Sequence, residues 1–226
     1  MARDFDGVTN TNLEATTHFG MGTASVTFGG WVNLDSTSED GSFCKIGSAD
    51  GIDTPADGYG VGVGLNTMDA SGNDLIGLKE GLAWIDTNDA LSTGWVHVMV
   101  TIDSSNDWEF FINGTSVFTS TQSAANTPTA KTQLGGYDPN GSNYRFTDCF
   151  QDEWAGWTSV LTGNQITALA RGVNPFVINN NKAFHAPMTG NESPESQYVG
   201  GSNTFTVNSA TKASSASPHE LLENYL

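Results

Sequence analysis

Basic residues are scarce. Lys and Arg together number 8 against 25 Asp and Glu in 226 residues, a formal net charge of −17. Nucleic-acid binding through phosphates needs a clustered basic patch, and too few basic residues exist to build one. Attachment to an anionic membrane surface fails for the same reason. Cysteine is nearly absent. Cys44 and Cys149 lie far apart, match no metal-ligand spacing, and are expected as buried thiols rather than a disulfide. The most apolar stretch, Trp95–Ile102, carries His97 and is far shorter than the ~20 residues a spanning helix needs. Met1–Asp6 has no apolar core of a signal peptide, so export by that route is not expected. Charged residues make up only 15%, and no long run rich in Ala, Glu, Lys and Leu occurs, which excludes long helices.

What remains is β-forming sequence between turns, with 26 glycines. Strands are predicted near 3–8, 24–34, 42–47, 59–65, 74–79, 82–86, 95–103, 107–112, 115–119, 131–136, 144–157, 182–188 and 203–208. Asn113-Gly114 between Trp108–Ile112 and Thr115–Phe118 is a strong two-residue hairpin signal, and Asp40-Gly41 and Asn140-Gly141 mark further reversals. Trp95–Ile102 is apolar at successive positions, which predicts an interior strand covered on both faces. Within it Trp95, like Trp157, is expected to be nearly fully buried. One helix is predicted over 163–171. Thr162-Gly-Asn-Gln165 fits a capping box, Ile166, Leu169 and Ala170 share a face, Gly172 suits the C′ position, and Pro175 blocks continuation.

Catalytic signatures are missing. No Gly-x-Ser-x-Gly elbow is present. His18, His97, His185 and His219 have no neighbouring motif, and His97 reads as a packed strand residue. Gly60, Gly62 and Gly64 alternate with Val61, Val63 and Leu65. This is a strand with one bare face, open either to close sheet packing or to the approach of a ligand.

Four segments in order carry a family resemblance. Gly29–Asp35 with Phe43–Gly47, Thr93–Asp103, Phe110–Gly114, and Gln151–Trp157 followed by Leu161-Thr162 resemble the strands, hairpin and "iDE" motif of laminin-G-like, concanavalin A-type jelly rolls. The resemblance spans roughly 3–175. It implies an all-β antiparallel sandwich jelly roll with one short helix. A laminin-G-like domain over 1–175 is then followed by an extension over 176–226, which completes the sandwich, contacts a partner, or does both. The pattern after Arg171, including Ala186-Pro187-Met188 and Asn203–Val207, is similar to stand-alone proteins of tailed phages and prophages.

The resemblance implies function as follows. The phage likeness implies a non-enzymatic virion protein displayed on the particle, made in a host cytoplasm and held to capsid or tail proteins. It also implies a homo-oligomer, a trimer before a dimer, with contacts through 176–226. Phe176, Phe184, Met188, Phe205, Leu221 and Leu222 there need cover, either from a neighbour or from the chain's own sandwich. The alternative is a calcium-assisted, lectin-like module for a surface glycan. Trp84 and Trp108 flank turns and are its candidate stacking platforms. Asp152 of the "iDE" motif, with Asp6 and Gly7, is its candidate Ca²⁺ site, and the loop acids Asp50, Asp53 and Asp57 are a second. Retaining glycosidases need two carboxylates about 5–5.5 Å apart on one strand face, hence at i, i+2 or i, i+4. Asp152 and Glu153 are adjacent and are expected on opposite faces, so hydrolysis is not expected.

Overall fold

The computed structural model describes residues 2–7, 11–36, 41–47, 57–64, 73–79, 82–129, 131–136, 147–188, 204–208 and 210–212. The strands are β1 (Arg3–Asp6), β2 (Asn12–Ala15), β3 (Val26–Leu34), β4 (Gly41–Ile46), β5 (Tyr59–Gly64), β6 (Asp74–Lys79), β7 (Leu82–Ala90), β8 (Gly94–Ile102), β9 (Asp107–Ile112), β10 (Thr115–Thr121), β11 (Thr132–Leu134), β12 (Asp148–Trp157), β13 (Lys182–Ala186), β14 (Thr206–Asn208) and β15 (Thr211–Lys212). Helix α1 is Gly163–Ala170, and a single 3₁₀ turn covers Pro175–Val177. Among the described residues an eight-stranded sheet runs β10-β9-β8-β3-β12-β1-β15, with β13 also on β12. A seven-stranded sheet runs β14-β2-β11-β4-β5-β6-β7. All pairings are antiparallel. The molecule is the all-β sandwich with one helix that the sequence predicts.

Strand alternation sorts residues between two cores. From β8, Val96, Val98, Val100 and Ile102 point inward and meet Phe28, Val32 and Leu34 of β3 and Val61 and Val63 of β5 in the inter-sheet core. The intervening Met99 points outward, with Phe111, Ala155 and Trp157, against Leu161, Ile166, Leu169 and Ile178. β8 is thus covered on both faces, as its continuous apolar run predicts. Trp157 is 0% exposed and its indole donates to the Ile178 carbonyl at 2.9 Å. Trp95 differs from expectation. It lies at the start of β8 and is only half-buried, because the cover thins at the strand end.

Local signals act as read. Thr162 and Gln165 form the reciprocal capping box, which satisfies amides otherwise orphaned at the helix start. Asn113 and Gly114 both have positive φ, 51° and 79°, the signature of the two-residue hairpin. Two strands, β2 and β15, lie outside the predicted ranges. Asn, Glu and Ala in β2 are poor strand formers, and its conformation is imposed by pairing with β11 and β14. At Gly60 and Gly62 an added Cβ would lie 2.4 Å from the Cys44 carbonyl and 2.2 Å from the Gly41 carbonyl. Glycine is therefore required by close approach of the β4 backbone within the sheet, the packing alternative for this strand. Cys44 and Cys149 are buried free thiols.

The chain beyond Pro175 contributes to both sheets through β13, β14 and β15. Phe184, Met188 and Phe205 are 0% exposed in the inter-sheet core, and the Phe19 ring lies 5.2 Å from Phe184 and 5.6 Å from Phe205. Their cover comes from the same chain. Phe176 remains 58% exposed. Leu221 and Leu222, and the turns at Asp40-Gly41 and Asn140-Gly141, lie wholly or partly outside the described residues.

Candidate functional site

The proposed stacking residue Trp108 is not on the surface. Alternation in β9 aims it inward, where it is 1% exposed between Tyr59 and Phe110. It flanks a turn, but the turn lies at the sandwich end rather than beyond it, so the indole fills the core. Trp84 lies in β7, and its side chain is outside the described residues.

The expected calcium residues do not come together. Asp6 pairs with Asp148 across β1 and β12, whereas Asp152 lies one position past Gln151, the partner of Arg3. Asp152 and Asp6 are therefore four strand positions apart, about 13 Å. Asp6 accepts a hydrogen bond from the Thr11 hydroxyl. Gly7 has φ 65° and turns the chain tightly against Asp148. Asp152 is 1% exposed on the outer face of β12, in register with Trp31. Asp57 accepts from Thr129, while Asp50 and Asp53 lie outside the described residues. Among the described residues no three His, Cys, Asp or Glu side chains converge to hold a metal. The residues thus do not fit a calcium ion in the way the sequence suggests.

Strict strand alternation breaks at one place in β12. Glu153 has φ 51° and sits in a bulge, where β12 has two residues between the partners of Trp31 and Gly29 and β3 has one, Gly30. Its carboxylate reaches His185 of β13 at 2.5 Å, on the outer face that Asp152 also occupies. Adjacent Asp152 and Glu153 therefore share a face, contrary to expectation. Both are buried, as are Trp31, His97 and His185 beside them. Trp31 meets the His97 ring edge-on at 5.1 Å, and burial pushes the His97 pKa down to about 3. This group is packed into the sheet, and His97 has the structural role the sequence suggests.

An open concave feature among the described residues lies elsewhere on the same outer face. A groove of about 490 Å³ crosses β8, β9 and β10 at the end farthest from the Asn113-Gly114 hairpin. Thr101 projects from β8 and Asp103 follows it. Asp107 and Glu109 project from β9, Thr119, Ser120 and Thr121 come from edge strand β10, and Val160 closes one side. Register aligns Thr101, Glu109 and Thr119 in one row and Asp107 with Thr121 in the next. The turn is rigid. Asp103 Oδ1 accepts the Ser105 amide at 2.7 Å and the Asp107 amide at 3.0 Å, and Asn106 takes φ 63°. The Thr121 hydroxyl donates to Asp107 Oδ1. The floor is thus a fixed array of hydroxyls and carboxylates. Sequence reading missed it because its members come from three strands and a turn. The visible signal was the polar outward pair Asp107 and Glu109 beside apolar Trp108 and Phe110.

A laminin-G-type family model, described as the concanavalin A-like lectin/glucanases superfamily, matches residues 6–167. The chain belongs to this superfamily. Solved structures agree on the fold of this superfamily member. A candidate carbohydrate binding protein from Bacteroides ovatus ATCC 8483 aligns with TM-score 0.70 at 18% identity, over 93% of this chain and 58% of that one. This chain therefore spans little more than half of that protein. A heptameric SAP-like pentraxin from Limulus polyphemus aligns with TM-score 0.55 at 13% identity, over 92% and 95% of the two chains. Domain 4 of AbnA, an extracellular arabinanase from Geobacillus stearothermophilus solved with arabinotriose, aligns with TM-score 0.52 at 19% identity, over 75% and 76%. Among curated proteins none matches by sequence.

Proposed function

We propose that this lectin/glucanase-superfamily domain is a non-catalytic carbohydrate-binding module whose ligand occupies the groove across β8, β9 and β10. The groove itself carries the reading. It is a preformed concavity on a rigid sheet, lined by hydroxyls and carboxylates that can accept and donate hydrogen bonds to sugar hydroxyls. The candidate carbohydrate binding protein from Bacteroides and the arabinanase domain solved with arabinotriose add support from the same fold. Asp107 and Glu109 are i, i+2 on one face, the spacing a hydrolase would need. Yet Asp107 is exposed and engaged by Thr121, and β10 is an edge strand, so the described residues form no enclosure that excludes water from a reacting bond. Binding without turnover is the chemistry this geometry favours. Display on a phage particle, implied by the sequence resemblance, is compatible with such a module, and mass spectrometry of purified particles tests it.

A glycan array probed with the full chain tests the central reading. Binding to one glycan class is expected, weakened by Glu109→Gln and by Thr101→Val while the melting temperature holds. An array with no signal, or a signal untouched by both variants, would remove the groove from the function. Release of shorter sugars on prolonged incubation would overturn the non-catalytic part.

A further inference from the structure

The groove is one-sided in charge. Asp103, Asp107 and Glu109 line it, and among the described residues no Lys, Arg or His does. Two of the three carboxylates are partly used: one oxygen of Asp103 holds the turn and one oxygen of Asp107 holds Thr121. Glu109 is half-buried, and among the described residues no hydrogen-bond partner meets its carboxylate. Next to it Thr101 is only 3% exposed, and its hydroxyl likewise has no partner among the described residues. A residue buried to that degree whose unpartnered hydroxyl belongs to the groove lining is positioned to meet a ligand.

The carboxylates are also spread out. Asp107 and Glu109 are two strand positions apart, about 7 Å, and the set does not converge on a metal position. A point cation is therefore a poor match, whereas positive groups spaced along a chain suit it. Among the described residues the one aromatic residue lining the groove is Trp108, which is 1% exposed with its ring in the core and so offers no stacking surface. Recognition must then rest on charge and hydrogen bonds, and a net charge of −17 repels acidic glycans before contact.

Resting on the glycan-binding reading, we propose that the groove takes an amino sugar: a hexosamine chain with free, protonated amines. Glu109 accepts one amine, the free oxygens of Asp103 and Asp107 accept the next, and the Thr101 hydroxyl bonds a ring hydroxyl beside Glu109. Acidic glycans such as uronate chains are excluded by like charge.

Titration calorimetry on the full chain at low ionic strength tests this with four tetrasaccharides: glucosamine, N-acetylglucosamine, glucose and galacturonic acid. A lysine tetrapeptide serves as a cation without sugar. The glucosamine tetramer is expected to bind at least ten-fold more tightly than any other, and less tightly as salt rises. Glu109→Gln and, separately, Asp107→Asn should each cut that affinity about ten-fold with unchanged melting temperature. Thr101→Val should weaken the glucosamine tetramer but not the peptide. Equal affinity for the acetylated or glucose tetramer would overturn the amine requirement while leaving glycan binding intact. Equal or tighter binding of the peptide would reduce the groove to general cation attraction. Failure of every saccharide would remove both this inference and the reading it rests on.

Discussion

The outer face of the eight-stranded sheet is finished in two ways within two residues. On β8, Met99 and Thr101 share that face, and on β9 so do Phe111 and Glu109. Met99 and Phe111 lie under α1 with Trp157, Ile166 and Leu169. Thr101 and Glu109 lie one row farther on, where the chain at Val160 passes beside the face instead of over it. The first region is a second apolar core and the second is an open polar groove. Strand geometry is the same in both, so the difference comes from the reach of one short helix. Apolar residues at outward positions mark where cover arrives, and polar residues at the next outward positions mark where it stops.

The largest effect should come from the covered half. Trp157→Ala removes a fully buried indole and its bond to Ile178, and should destabilise by about 3–5 kcal/mol in denaturant titration. A loss under about 1 kcal/mol would mean the helix cover contributes little, and the contrast between the two regions would collapse.

The next effect is pH-dependent and again belongs to the covered half. His97 is held neutral in the fold, with its pKa pushed down to about 3 from 6.5 by burial. Between those values the unfolded chain binds a proton that the folded chain refuses. Its contribution to stability is therefore present above about pH 6.5 and is lost as pH falls towards 3, at up to about 1.4 kcal/mol per pH unit. Asp74 acts in the opposite sense. Its pKa is raised by burial and by Asp86 and Asp89, so protonation on acidification favours the fold. The difference between wild type and His97→Asn isolates the histidine, and parallel pH profiles would show that His97 is not buried neutral.

A smaller effect is expected at the edge of the cover. Thr162→Ala removes the helix cap and should cost about 1 kcal/mol, read from the denaturation midpoint, with groove affinity unchanged. If affinity falls too, the helix positions the groove as well as the core. The smallest stability change belongs to the open half: Glu109→Gln should shift stability by no more than about 0.5 kcal/mol while reducing glycan affinity. A large destabilisation would make Glu109 a structural residue and bring the groove into line with the covered region.

Some of this was legible in the residues. Val96, Val98, Val100 and Ile102, with Met99 between them, required an interior strand covered on both sides. The capping box at Thr162 and Gln165 and the turn at Asn113-Gly114 act through contacts within a few residues, so their chemistry is local. The site was read less well. Its position beside a turn suggests the surface for Trp108, but which side of β9 faces the core depends on pairing with β8. Strict alternation puts Glu153 opposite Asp152, and a bulge against Gly30 breaks that alternation.

The order of apolar and polar residues along the chain determined the class of fold, its principal strands and its helix, because alternation and capping are properties of neighbours in sequence. Tertiary structure alone decided the rest. It determined that Phe184, Met188 and Phe205 close their own sandwich, that Asp6 and Asp152 stand about 13 Å apart, and that Thr101, Glu109 and Thr119 form one row. Each of these depends on strand register between segments distant in the chain, set by the packing of two whole sheets and by where α1 stops covering one of them.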